Sequence, residues 1–302
     1  MFYHDNKLQY EVKVDKPNPL FAKALQQAIG GQEGEMRVCL QYLFQAWNQP
    51  PSQSKYRDML LDTGTEEIGH IEMLCTAVAL NLEGAPTEVK DEAAENPMVA
   101  AILGGMQPRQ FLSAGLGAMP VDANGGPFTA NYIVASGNLA GDMHANVMAE
   151  STGRTLAARL YHMTDDHGMK DMLRFLLARD TMHQNQWLAV IEELGGVEAV
   201  HPVPASIPMS EEKKGPHVEE MNLSYAFMST NVEPQDDPGA RYTTGRSVDG
   251  KGEFSFIPRM EPLGGEPQLP EPPPSTFDAA TPQDGAKSGA AKLVQKAKDA
   301  LS

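Results

Sequence analysis

Apolar and small residues recur at helical spacing in four long stretches separated by turn formers, and that periodicity predicts an all-α fold. The first helix opens at Asn18-Pro19, a cap followed by proline, and runs to Trp47 with Phe21, Ala24, Ala28, Gly31, Val38, Tyr42 and Ala46 on one face. The second covers about Gln53 to Leu80 through Tyr56, Leu60, Thr63, Leu74 and Val78. A Gly- and Pro-rich crossover follows from Ala85 to Phe128, with a short helix expected around Met98 to Leu103. The third and fourth helices are expected at about Ala130 to Thr164 and Gly168 to Leu194, the last stopped by Gly195-Gly196. Leu8 to Val14 alternates and predicts a small strand.

Two short connections and one long one among four helices fit a four-helix bundle of the ferritin-like kind over residues 1–195. Residues 196–302 read as an extended, irregular C-terminal tail. More than half of the 23 prolines lie after residue 200, and Pro270 to Pro274 reads Pro-Glu-Pro-Pro-Pro, which sustains neither helix nor central strand.

Polar residues interrupt each apolar stripe near its middle. Glu35 lies between Gly31 and Val38; Glu67 and His70 lie between Thr63 and Leu74; Glu150 follows Val147; Asp180 and His183 lie between Leu177 and Trp187. A buried, uncompensated carboxylate costs several kcal/mol, so a positive partner is required. Glu67-Ile-Gly-His70 and Asp180-Thr-Met-His183 place a carboxylate and an imidazole one turn apart. With one further Glu from each of the other helices, this is the pattern of a carboxylate-bridged di-iron or di-manganese site. Glu33, Glu66 and Glu72 fall off the stripes and read as surface charges, and His144 and His162 miss the inward face of their helix.

Longer runs carry a more specific resemblance. Gly34-Glu-Met36, Thr65-Glu-Glu-Ile-Gly-His-Ile-Glu-Met-Leu74, Asn131-Tyr-Ile-Val-Ala-Ser-Gly-Asn138, Ala149-Glu-Ser151, Met163-Thr-Asp-Asp-His-Gly168 and Leu177-Ala-Arg-Asp-Thr-Met-His-Gln-Asn-Gln-Trp187 resemble the manganese catalases. The resemblance implies disproportionation of hydrogen peroxide at two manganese ions. It makes Glu67 the bridging carboxylate, puts Glu35 and His70 on one ion, and puts Glu150 and His183 on the other. It leaves Asp180 and Tyr42 beside the site as proton-handling groups. The arginine that some members carry before the third-helix glutamate is here Ala149, with Arg154 one turn further on as a substitute source of charge. Some members hold a structural calcium, for which Asp58, Asp62, Asn222 and Ser224 occupy the expected positions. The family's hexameric assembly implies a homohexamer in which the tail wraps a neighbouring subunit.

Composition narrows the alternatives. A formal charge of −16 argues against nucleic-acid binding, which draws on Lys and Arg. No apolar run is long enough for a membrane span, and the start lacks the order of a signal peptide, so a cytoplasmic protein is expected. Cys39 and Cys75 alone can make neither a disulfide framework nor a rubredoxin-like electron-delivery module. That weighs against a rubrerythrin-like peroxidase. A ferritin-like di-iron oxidase and a coat-type relative with a vestigial site remain the other classes.

Overall fold

A computed structural model describes residues 5–85, 105, 107–204, 211, 215, 217–229, 240–258 and 261–268. Its helices are α1 (Pro19–Gly30), α2 (Glu35–Trp47), α3 (Ser54–Asn81), α4 (Pro108–Leu112), α5 (Leu139–Met163), α6 (His167–Glu193) and α7 (Val197–Val200). The strands are β1 (Ala226–Ser229), β2 (Gly245–Arg246) and β3 (Glu253–Pro258). The chain is therefore mostly helical. No helix among the described residues is long and apolar enough to cross a membrane.

The single helix expected from Asn18 to Trp47 is broken. Asn18 caps α1 by accepting from the Phe21 N–H at 3.1 Å, and the helix ends at Gly31, whose backbone is extended. A Cβ on Gly31 would stand 2.5 Å from the Gln27 carbonyl oxygen, and one on Gly34 would stand 2.7 Å from that of Ile29. The glycines let the chain turn tightly and restart. Glu35 thus opens α2, in the first turn, where the helix dipole favours a carboxylate. The apolar stripe runs on across the break, which is why periodicity alone does not reveal it.

Two other boundaries differ from expectation. α5 begins at Leu139 rather than Ala130, because Asn138 caps it through Gly141 N. Residues Ala130–Tyr132 form only one 3-10 turn. The segment from Leu8 to Val14 forms no strand; it bends at Gln9 and Tyr10, and Leu8, Tyr10, Val12 and Val14 pack against the core. The short helix expected at Met98 to Leu103, the prolines at 270–274 and the end of the chain lie outside the described residues.

The chain divides into two compact units, Met1–Ala226 with Pro238–Ser255, and Phe227–Asp237 with Phe256–Ser302. In the larger unit α2 packs along α3, and α5 along α6. Buried glutamines fasten the crossover to the helices. Gln26 donates to the carbonyls of Met119 and Val121 and accepts from Met119 N, while Gln41 accepts from Val134 N and Gln45 donates to its carbonyl. Gly30 permits the close approach, since a Cβ there would stand 2.5 Å from Val121 N. Gly30→Ala is expected to destabilise the fold by about 1–3 kcal/mol through overpacking, read as a lower midpoint in urea denaturation.

The region expected to be an irregular tail holds regular elements among its described residues. β2 and β3 pair antiparallel, with Gly245 opposite Phe254 and Arg246 opposite Glu253, because Ser247 to Gly252 closes a turn through Ser247 N and the Gly252 carbonyl. In the smaller unit Phe227 and Phe256 stack with ring centroids 5.8 Å apart.

Two apolar clusters fill the larger unit. One contains Leu25, Ile29, Met73, Leu74, Val78, Met172, Leu173 and Leu176. The other contains Val38, Tyr42, Leu60, Met143, Trp187 and Ile191. Along α3 and α6 the polar residues Glu67, His70, Asp180 and His183 fall between the residues of the two clusters, and all four are buried.

Candidate metal centre

The five centre residues come from four helices. The first turn of α2 supplies Glu35, consecutive turns of α3 supply Glu67 and His70, the middle of α5 supplies Glu150, and α6 supplies His183. Their atoms form two overlapping groups, Glu35–Glu67–His70 and Glu67–Glu150–His183, each with one donor atom per residue within 4.8 Å of the others. The two oxygens of Glu67 are divided between them. Oε2 is 2.6 Å from His70 Nδ1, and Oε1 is 3.0 Å from His183 Nδ1. His70 Nδ1 lies 3.9 Å from Glu35 Oε2, and His183 Nδ1 lies 3.4 Å from Glu150 Oε1.

The electrostatics of the five residues call for positive charge. Burial, then the neighbouring Glu67, raises Glu35 to about 7. Burial also opposes ionisation of Glu67, but His70 and His183 outweigh it and bring the carboxyl down to about 2. Burial lowers the basicity of His183, yet the carboxylates of Glu150, Glu66 and Glu67 set against its ring reverse this and push it up to about 12. Asp180 belongs to neither group. Its burial, reinforced by the charges of Glu35, Glu150 and Glu67, raises it to about 9.

The donor set fits a pair of divalent ions. Glu67 Oε1 and His183 Nδ1 are buried and face one another, yet neither has a hydrogen-bond partner. A cation shared between these two donors accounts for that pairing, as a direct contact does not. Carboxylate oxygens and imidazole nitrogens are the hard donors that suit manganese or iron.

The other candidate residues surround these five. Tyr42 lies beside the centre: its hydroxyl donates to Glu150 Oε1, and its ring packs on Trp187 with centroids 4.9 Å apart. Burial above all, then the charges of Glu150 and Glu67, holds the phenol well above its usual range. Arg154 is exposed and ties α5 to α6 through Leu177 O and Thr181 Oγ1. His144 bonds to the Ala140 carbonyl and to His201, and His162 lies against the edge of Tyr161. Asp58 and Asp62 are exposed on α3, and Asn222 Nδ2 donates to Glu253 O and Ser255 Oγ. Neither Asp58 nor Asp62 enters a metal-binding group among the described residues.

Glu66 corrects the reading of it as a surface charge. Its side chain is only 20% exposed and meets Arg179, Gln9 and both histidines of the centre. Arg179 joins the site as well, although its own helix face does not mark it. A signal was present: Glu66 directly precedes Glu67, and Arg179 directly precedes Asp180, at the head of the two carboxylate-x-x-His pairs.

Residues 1–294 match the family of manganese containing catalases. The chain is 46% identical over 274 residues to a manganese catalase of Bacillus subtilis, covering 91% of this chain and 96% of that protein. It is 38% identical over 269 residues to a manganese catalase of Lactiplantibacillus plantarum, covering 89% and 96%. Among solved structures, KatB, a manganese catalase from Anabaena, matches in fold with a TM-score of 0.62 at 22% identity, over 85% of this chain and 99% of that one. With the family model spanning nearly its whole length, this chain belongs to the manganese-containing catalases.

Proposed function

We infer that Glu35, Glu67, His70, Glu150 and His183 hold the two manganese ions at which this catalase converts two molecules of hydrogen peroxide to dioxygen and two of water. The observation that carries the assignment is the division of Glu67 between two donor groups, one oxygen facing each imidazole. Glu35 and His70 complete one group, and Glu150 and His183 complete the other. Three carboxylates and two neutral imidazoles contribute −3 against +4 from two divalent ions, leaving one positive charge that favours an anionic oxygen ligand.

In the reaction one peroxide is oxidised to dioxygen, releasing two electrons and two protons. The other takes up two electrons and two protons, its O–O bond breaks, and two waters form. The manganese pair, when bound, stores the two electrons between these halves, so no outside reductant is consumed. The chain supplies position, dryness and proton sites. Glu67 fixes the separation of the two groups, and the flanking apolar clusters exclude bulk water. Asp180, a buried carboxyl next to the centre that belongs to neither donor group, is the side chain placed to take up a proton and return it. Tyr42 fixes Glu150 Oε1 by donating to it. Tyr42→Phe removes that donor while keeping the ring, and is expected to lower activity about 10- to 100-fold with helix content unchanged, read as initial rates of oxygen release.

Further parts of the reading are a four-helix bundle with a tail that wraps neighbours in a homohexamer, a cytoplasmic location consistent with free Cys39 and Cys75, and a calcium ion on Asp58, Asp62, Asn222 and Ser224. The amide contacts of Asn222 use its nitrogen and leave Oδ1 for a cation. A di-iron oxidase or peroxidase is not favoured. The direct test is manganese content measured alongside oxygen release in purified protein. Two manganese ions per chain with oxygen evolved from peroxide are expected; a fully manganese-loaded sample that releases no oxygen would end the assignment.

A further inference from the structure

A carboxylate stands on the far side of the two imidazoles from the metal groups. His183 Nε2 lies 3.2 Å from Glu66 Oε2. His70 Nε2 lies 3.6 Å from Glu66 Oε1, within ion-pair reach but slightly long for a hydrogen bond, and it has no other hydrogen-bond partner. Arg179 grips the same carboxylate from α6 with Nε 2.6 Å from Oε1 and Nη2 3.2 Å from Oε2, and Gln9 donates to Oε1 at 3.0 Å.

We propose that Glu66, clamped by Arg179, is the shared positioning residue of the centre. One carboxylate accepts the Nε2–H of both His70 and His183, fixing both tautomers and turning both Nδ1 lone pairs toward the metal groups. The proposal rests on the metal assignment made above. Neutral imidazole carries one ring proton, and the nitrogen that is hydrogen-bonded as a donor decides which nitrogen is left to ligate. The two ring nitrogens point in different directions, so a carboxylate at Nε2 does not compete for the ion at Nδ1. Glu66 accordingly appears in neither group of candidate ligand atoms.

The clamp explains why a charged pair sits here. As a partly exposed ion pair, Arg179–Glu66 adds little stability on its own. A planar guanidinium making two parallel bonds does, however, fix the plane and angle of a carboxylate. That matters when both oxygens must be aimed, one at each ring. Glu66 and Arg179 also line an open surface groove with Gln9, Asp62 and Phe175, so either can be exchanged without opening the apolar core.

The test compares manganese binding by wild-type chain, Glu66→Gln, Arg179→Gln and Arg179→Lys, using equilibrium dialysis with metal analysis and circular dichroism for helix content. Glutamine keeps the shape of Glu66 but presents one acceptor and one donor, so it cannot serve both rings. Glu66→Gln is expected to keep wild-type helix content and weaken manganese binding about 10- to 100-fold, with both ions lost together. Arg179→Gln is expected to weaken binding less, with partial recovery in Arg179→Lys. A group that merely fills space would tolerate Glu66→Gln, so wild-type affinity in that variant overturns the proposal. Should Glu66→Gln fail to fold, wild-type affinity in Arg179→Gln overturns it instead. A wild-type chain that binds no manganese would defeat the metal assignment itself, and the proposal with it; two ions held with equal affinity by wild type and Glu66→Gln would defeat the proposal alone.

Discussion

Replacing Glu67 with alanine is expected to strip both manganese ions and reduce oxygen release to background, while the helices persist. Glu67 is the one residue common to both donor groups, so its loss costs each ion a ligand and removes the bridge that sets their separation. Metal affinity should fall by more than the roughly 10- to 100-fold typical of a group that only supports a ligand. Glu67 is buried, but alanine leaves less uncompensated charge in the centre and is a good helix former, so α3 should remain. His70→Ala is expected to behave likewise at its own ion. Unchanged activity in either variant contradicts the ligand assignment. The measurement is metal content per chain beside circular dichroism and oxygen evolution.

The second large effect is a reversal of pH dependence on metal loading. Without manganese, the centre binds its positive charge as protons. Glu35 and Asp180 have pKa values raised to about 7 and about 9. The unfolded chain releases these protons near the ordinary carboxylate range, so the folded form binds more protons over that interval and its stability falls as pH rises. The histidines act in the same direction. With His183 raised to about 12, its contribution is fully present below the ordinary histidine value and is lost as pH climbs toward the folded one. Glu67 works the other way. Its pKa is lowered to about 2, so its contribution holds above the ordinary value and disappears only as pH falls through about 2. Metal-free protein should therefore be most stable in mild acid and lose Tm steadily from about pH 5 to pH 9. Manganese replaces those protons and needs the ligands deprotonated, so the gain in Tm on adding manganese should grow over the same interval. Calorimetry with and without manganese reads both trends, and a gain that shrinks with rising pH contradicts the account.

The centre's carboxylates and imidazoles were legible because helical periodicity reports which side of its own helix a residue occupies. Glu35, Glu67, His70, Glu150 and His183 each interrupt an apolar stripe, and the structure gathers their atoms into two groups. Residues that act from beside the stripe were not legible. Glu66 sits on the flank of α3 and gains its role only because α6 places Arg179 and His183 against it, a relation between helices that spacing along one helix does not contain. The Gly31–Gly34 break escaped for a related reason, since the apolar face resumes in phase beyond it. The inward face of α2 puts Tyr42 beside the site, but a position two turns from Glu35 does not say which residue of α5 lies opposite, and that residue is Glu150. The short strands after Gly245 escaped because two- to six-residue elements carry too few positions for alternation to register.

The most direct test of the central claim is anomalous scattering at the manganese edge from crystals of manganese-loaded protein. Two anomalous peaks per chain are predicted, one among Glu35, Glu67 and His70 and the other among Glu67, Glu150 and His183. A single peak, or peaks located away from Glu67, would contradict it.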